Sequence, residues 1–162
     1  MGEVKRERAK PNIMPSSPTL RPYTAADEDA AIALWLRTWQ LAYPAIDFNT
    51  RLEWWRERWR TELVPQAQIV VVESAGVMTG FVTVDPRTLY LDQIVVAPEA
   101  WGSGTGEALV AEAKRLSPRG LDLQVNQDNA RAVCFYEKHG FVITGEDKNV
   151  SGRLTYWMKW RP

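Results

Sequence analysis

The chain has 162 residues with 20 Lys+Arg against 20 Asp+Glu; this describes one soluble domain with its own core and argues against nucleic acid or an anionic membrane as partner, since both call for an excess of cations. A single cysteine and a single histidine exclude a disulfide, a thiolate or imidazole metal site and a Ser-His or Cys-His triad, so no metal is expected and most hydrolase chemistry is removed. No apolar run approaches the roughly 18 residues of a membrane span and no signal-peptide core opens the chain, so a cytoplasmic location is expected.

Residues 1–17 are basic and then rich in Pro and Ser without apolar periodicity, which predicts a poorly ordered tail ahead of one domain over 18–162. A short strand is expected near Leu20 to Tyr23. Thr24 then caps a helix with acids in its first turn and apolar residues at helical spacing, closed by Pro44. A second helical stretch, FNTRLEWWRERWRTELV, starts at an Asn/Thr cap and places Leu52, Trp55, Trp59 and Leu63 on one stripe, with Trp54 off it. The period then changes. AQIVVVES and VMTGFVTVD are β-branched runs joined at Ala75-Gly76 as a hairpin, and TLYLDQIVVAP is a third run ended by Pro98. A glycine-rich turn flows into a helix that stops before Pro118 and Gly120. LDLQV is a strand, DNARAVCFYEKHGF a helix ending on Gly140, and two strands turning at Ser151-Gly152 finish the chain. This order makes an α/β or α+β domain with a mixed sheet.

The most specific local feature is the run Gly102-Ser103-Gly104-Thr105-Gly106 between a strand and a helix. Alternate glycines let the backbone approach a ligand and turn N–H groups inward at the positive end of a helix dipole, which suits phosphate. A nucleotide P-loop is excluded, because Glu107 and Ala108 stand where Lys and a hydroxyl residue are needed. A dinucleotide turn with Asp122 as ribose partner has the local spacing but lacks the repeated βαβ context. A glycine-rich turn without ligand remains open on the loop alone.

VVAPEAWGSGTGEALVAEA followed by LDLQVNQDNARAVCFYEKHGF resembles the GCN5-related N-acetyltransferase (GNAT) superfamily in spacing and order, over residues 20–160. The resemblance implies a mixed, mostly antiparallel sheet of about seven strands flanked by about four helices, with strands four and five splayed. It implies acetyl-CoA as co-substrate and direct transfer to a primary amine of a small molecule, protein or peptide. Pantetheine would pair with strand-four backbone at Ile94, Val95 and Val96, where an N–H would steady the thioester carbonyl. Gly102, Ser103, Gly104, Thr105, Gly106 and Glu107 would carry the pyrophosphate, and Asn129 the cofactor arm. Tyr136 would protonate the departing thiolate, as a phenol is still protonated at neutral pH.

The pattern breaks at three places. Trp101 stands where the family has Arg or Gln, and Ser103 where a basic residue is common, so phosphate charge would fall to Lys114, Arg115 or Arg131. Gln124 occupies the position of a strand-five glutamate base. Asp92, placed by alternation on one face with Tyr90 and Ile94, is the candidate base, with water as the alternative and Glu73 and Asp85 behind them. Trp39, Tyr43 and Trp54 are candidates for the acceptor pocket, while Trp35, Trp55 and Trp59 read as core. Cys134 reads as a small core residue and His139 as a partly positive helix end. The apolar stretch RLTYWMKW suits pairing with a second copy, which leaves a homodimer as an expectation. Two other classes stay in view: a coenzyme A binding module without efficient transfer, and a dinucleotide-dependent oxidoreductase.

Overall fold

A computed structural model describes residues 17–162, so the tail expected over 1–17 lies, save Ser17, outside the described residues. The elements follow the expected order. Strand β1 (Thr19–Pro22) leads to helices α1 (Glu28–Ala42) and α2 (Leu52–Arg58), then to strands β2 (Gln68–Ser74), β3 (Val77–Asp85) and β4 (Tyr90–Val96). Helix α3 (Thr105–Leu116), strand β5 (Leu121–Asn126), helix α4 (Ala130–Lys138) and strands β6 (Val142–Lys148) and β7 (Leu154–Trp160) complete it. One sheet of seven strands runs β1-β2-β3-β4-β5-β7-β6, antiparallel except where β4 meets β5.

Entry into α1 is organised by Asp27. Its carboxylate accepts from the Thr24 backbone N–H at 2.8 Å and from two nitrogens of Arg21 at 2.7 and 2.8 Å, while Arg21 also pairs with Glu73 of β2. The strand edge and the helix start are thereby tied together. Helix α2 begins later than its sequence suggests, because Asp47 caps a short 3₁₀ turn over Phe48–Arg51 before Leu52. Past Arg58 the helix widens into a π-turn over Trp59–Leu63 and closes with one α-turn, Val64–Gln66. Pro65 accounts for the widening, since its ring clashes with the carbonyl one turn back and it has no N–H to donate.

The sheet carries a core on each face. On the α1–α2 side Trp35, Trp55, Trp59 and Phe48 pack on Val71, Phe81 and Val95, with the Trp35 and Trp55 rings stacked at 4.6 Å and Trp59 edge-on to Phe81 at 5.3 Å. Burying each such side chain stabilises the fold by roughly 2–3 kcal/mol. On the other side Leu109, Val110 and Ala113 of α3 and Val133 of α4 pack on Val82, Val84, Leu123 and Met158.

Strand β4 is irregular in a way that alternation alone does not predict. Val84 pairs with Leu91 and Thr83 with Gln93, so Asp92 is the extra residue of a bulge. Its only ladder pair with β5 is Tyr90 with Asp122, and beyond it the two strands part.

The Asp27 carboxyl is held at about 2, against 3.8 for a free aspartate, chiefly by the Arg21 hydrogen bonds and against the cost of burial. A lowered folded value stabilises above the unfolded value and is lost as pH falls through the folded one. Asp27→Asn should therefore lower the melting temperature by about 3 °C or more at pH 7. In melts across pH, that deficit should close between about pH 4 and about pH 2.

Candidate active site

The gap left by β4 and β5 is a cleft of about 560 Å³. One wall is β4 from Asp92 to Val96; the other is Gln124, Val125 and Asn126 of β5 with Asn129, Ala132, Phe135 and Tyr136 of α4. The expected Ile94, Val95 and Val96 thus line it, on a strand edge that has no ladder partner past Tyr90. A separate cavity of similar size, lined by Tyr23, Glu28, Arg60 and Ile69 among others, lies away from these residues, and its Arg60 is paired with its Glu28.

The glycine loop closes one end. Gly102, Gly106 and Glu107 line the cleft, whereas Ser103, Gly104 and Thr105 shape the loop from behind. The Ser103 hydroxyl is spent on the Ala100 carbonyl and lies 2.9 Å from Thr105 Oγ1, and Thr105 is buried. Gly104 precedes α3 at φ 89°, a left-handed conformation that a side chain would strain. At Gly106 a Cβ would meet Phe135 Cε2 at 3.1 Å, so a side chain there would have to push the Phe135 ring back by a few tenths of an ångström. The loop therefore fits a phosphate-bearing ligand: a helix start preceded by Gly102 and Gly104, with open space where their side chains would stand.

Trp101 and Arg131 complete this end. The indole N–H of Trp101 donates to the Val96 carbonyl at 3.0 Å, and the Arg131 guanidinium lies over the indole ring at 3.5 Å. Arg131 is the one cation lining the cleft among the described residues. The other two cations considered are committed elsewhere: Lys114 donates to the His139 carbonyl at 2.7 Å, and Arg115 pairs with Glu112 at 3.0 Å.

Tyr136 sits midway along the α4 wall, its ring edge-on to Phe135 and Phe141 at 5.5 Å each. Burial, and then nearby Tyr90, push its phenol well above the ordinary value, so it stays protonated at neutral pH. Its hydroxyl makes no hydrogen bond to a described residue. Asn129 caps α4 by accepting from the Ala132 N–H at 3.2 Å, which leaves its side-chain N–H donors uncommitted.

Thr38, Trp39, Ala42 and Tyr43 from the end of α1 also line the cleft. The Trp39 and Tyr43 rings stack at 5.9 Å. The Tyr43 hydroxyl accepts from Asn126 and donates to Asp128, each at 3.0 Å, and so ties the end of α1 to the β5–α4 wall.

Several expectations need correction. Asp92 lines the cleft, but both its oxygens accept from Arg58 of α2, at 2.6 and 2.8 Å, and Gln93 adds a third bond at 3.3 Å. The bulge turns it toward α2 while Ile94 packs with the α3-side core, so the two do not share a face. Gln124 donates to Thr155 at 2.7 Å. Trp54 is outside the cleft, 56% exposed on the far side of α2 beside Trp55. Cys134 is exposed, because α4 buries only the face that carries Val133. Burial lowers the affinity of His139 for a proton, which favours the neutral ring over the positive one expected. Asn126 and Asp128 line the cleft without having been singled out; their signal was a polar run, NQDN, at the end of an apolar strand.

Residues 46–162 match the family model for the acetyltransferase (GNAT) domain. The chain is 31% identical over 118 residues to the peptidyl-lysine N-acetyltransferase YjaB of Salmonella typhimurium, covering 72% of this chain and 78% of that protein. It is 32% identical over 135 residues to the peptidyl-lysine N-acetyltransferase YiaC of Escherichia coli, covering 81% and 88%. The PaiA N-acetyltransferase of Thermoplasma acidophilum, solved in complex with coenzyme A, shares the fold at a TM-score of 0.70 and 18% identity, over 90% of this chain and 99% of that one. The splayed strands, the glycine loop and the sequence match agree, and the chain belongs to the GNAT family of acetyl-CoA-dependent acyltransferases.

Proposed function

We propose that the chain transfers an acetyl group from acetyl-CoA to a lysine side chain of a peptide or protein, by direct attack of the amine within one cleft. The observation that carries this reading is the make-up of the cleft lining. One cleft gathers a glycine loop and Arg131, suited to phosphates, with a stacked Trp39–Tyr43 pair and the Asp128 carboxylate, suited to the methylenes and charge of an alkylamine. The two relatives that act on peptidyl-lysine support the acceptor class.

Acetyl-CoA supplies an activated acyl group with a thiolate leaving group; the chain's residues place it and move protons. Backbone N–H groups of the unpaired β4 edge steady the negative charge that develops on the thioester carbonyl. Tyr136, protonated and without a hydrogen-bond partner among the described residues, delivers a proton to the sulfur. The ammonium of the acceptor loses its proton to water, because Asp92 is already engaged by Arg58 and Gln124 offers no base. Arg131, steadied by the Trp101 ring, takes the side-chain share of phosphate binding.

The deciding experiment measures free thiol released from acetyl-CoA with a panel of amines, including a peptide with one lysine and a blocked N-terminus. Acetylation of that lysine is expected. A thermal shift with acetyl-CoA but no thiol released with any amine would instead identify a binding module.

Tyr136→Phe should lower kcat about a hundredfold while the KM for acetyl-CoA stays within about twofold. Matching losses in both would remove the assigned role. Arg131→Ala should raise the KM for acetyl-CoA about tenfold and leave the KM for S-acetylpantetheine, which lacks the phosphates, unchanged. A similar rise with both donors would mean that Arg131 only supports the fold.

A further inference from the structure

Three segments distant in sequence meet beside Trp39 at the cleft. Tyr43 follows α1, Asn126 and Asp128 stand where β5 passes into α4, and Arg153 lies in the turn from β6 to β7. Arg153 Nη1 donates to Asp128 Oδ2 at 2.7 Å, and its guanidinium lies over the Tyr43 ring at 4.8 Å. The Tyr43 hydroxyl donates to the other Asp128 oxygen at 3.0 Å. A carboxylate beside an aromatic face is a combination that holds an organic cation. Here the cation held is the chain's own.

This pair is open to solvent, with 59% of the Asp128 side chain and 37% of the Arg153 side chain exposed. Pairs of that kind hold weakly and exchange partners easily. The two other carboxylates that line the cleft are placed differently. Asp92 is only 11% exposed and paired with Arg58, and Glu107 stands at the glycine loop. Asp128 is thus the carboxylate available to a cation entering beside Trp39 and Tyr43.

We propose that Asp128 and the Tyr43 ring form the seat that receives the positive charge of the amine acceptor, and that Arg153 occupies this seat until the acceptor displaces it. The inference rests on the acetyl-transfer reading above and adds which residue selects the acceptor's charge. Arg153 then acts as a built-in competitor, and its removal strengthens acceptor binding where removal of a merely structural tie would weaken it. A neutral amine gains nothing from the seat.

The test uses the full chain with saturating acetyl-CoA and Nα-acetyl-lysine methylamide as acceptor. Arg153→Ala should lower the KM for this probe about threefold, and Asp128→Asn should raise it about tenfold. Adding Arg153→Ala to Asp128→Asn should have no further effect, and the KM for acetyl-CoA should be unmoved throughout. Arg153→Lys, which keeps a cation in place, should behave like the parent. A rise in the probe's KM with Arg153→Ala would overturn the seat and leave a structural clasp. Calorimetric binding of the same probe in the presence of coenzyme A separates the two readings. If the parent acetylates no amine yet binds the probe in an Asp128-dependent way, the seat stands and the transfer reading fails. If it acetylates the probe with a KM that neither substitution moves, transfer stands and the seat is overturned.

Discussion

Everything at the site depends on the parting of β4 from β5 after a single ladder pair, Tyr90 with Asp122. A strand inside a sheet normally has both edges satisfied, and unpaired backbone groups in a protein interior are costly unless something else meets them. Here the exposed edge of β4 becomes one wall of a cleft, and a ligand that can pair with backbone is what completes it. The bulge at Asp92 lies where the strands separate, and bulges bend and twist the strand that carries them.

The two walls share one core and differ in the other. The β4 wall reaches the tryptophan cluster under α1 and α2 through Val95 and the aliphatic cluster under α3 and α4 through Leu91 and Ile94, whereas the β5 wall joins the aliphatic cluster, through Leu123 and Val125. Arg58 holds the first assembly together by reaching from α2 to Asp92, a pairing in which both side chains are largely shielded. Removing one partner of such a pair leaves a poorly solvated charge and costs more than an exposed pair does. Asp92 therefore anchors the bulge, with both its carboxylate oxygens held by Arg58.

The features legible in the sequence are those whose geometry is local. The glycine loop, Asn129 and Tyr136 about two turns further along one helix each depend on neighbours within a few residues, and the structure puts Gly102, Gly106, Asn129 and Tyr136 on one cleft. The element order was legible for the same reason, since periodicity separates helices from strands. The features that escaped are set by register and by partners far along the chain. The face of Asp92 depends on where β4 slips against β3, and its partner Arg58 lies 34 residues away. The meeting of Tyr43 with Asp128 spans 85 residues. Trp54 illustrates the converse: its place off the apolar stripe was visible, and that stripe is what turns it away from the domain.

Trp101 brings two effects of opposite sign to the cofactor end. Its indole N–H occupies the Val96 carbonyl, and a ligand pairing with that carbonyl has to displace it. The cost is that of one neutral, solvent-exposed hydrogen bond, about 1 kcal/mol. Its ring also gives the Arg131 guanidinium a flat surface at 3.5 Å, so the cation is placed over the cleft before any phosphate arrives. Stacking on an exposed indole contributes roughly 0.5–1 kcal/mol to that placement. The charge-assisted bonds from guanidinium to phosphate are then about twice as strong as neutral ones. The stacking gain and the loss at Val96 are of similar size, so an indole at the head of this loop changes the balance little and leaves Arg131 placed at the cleft.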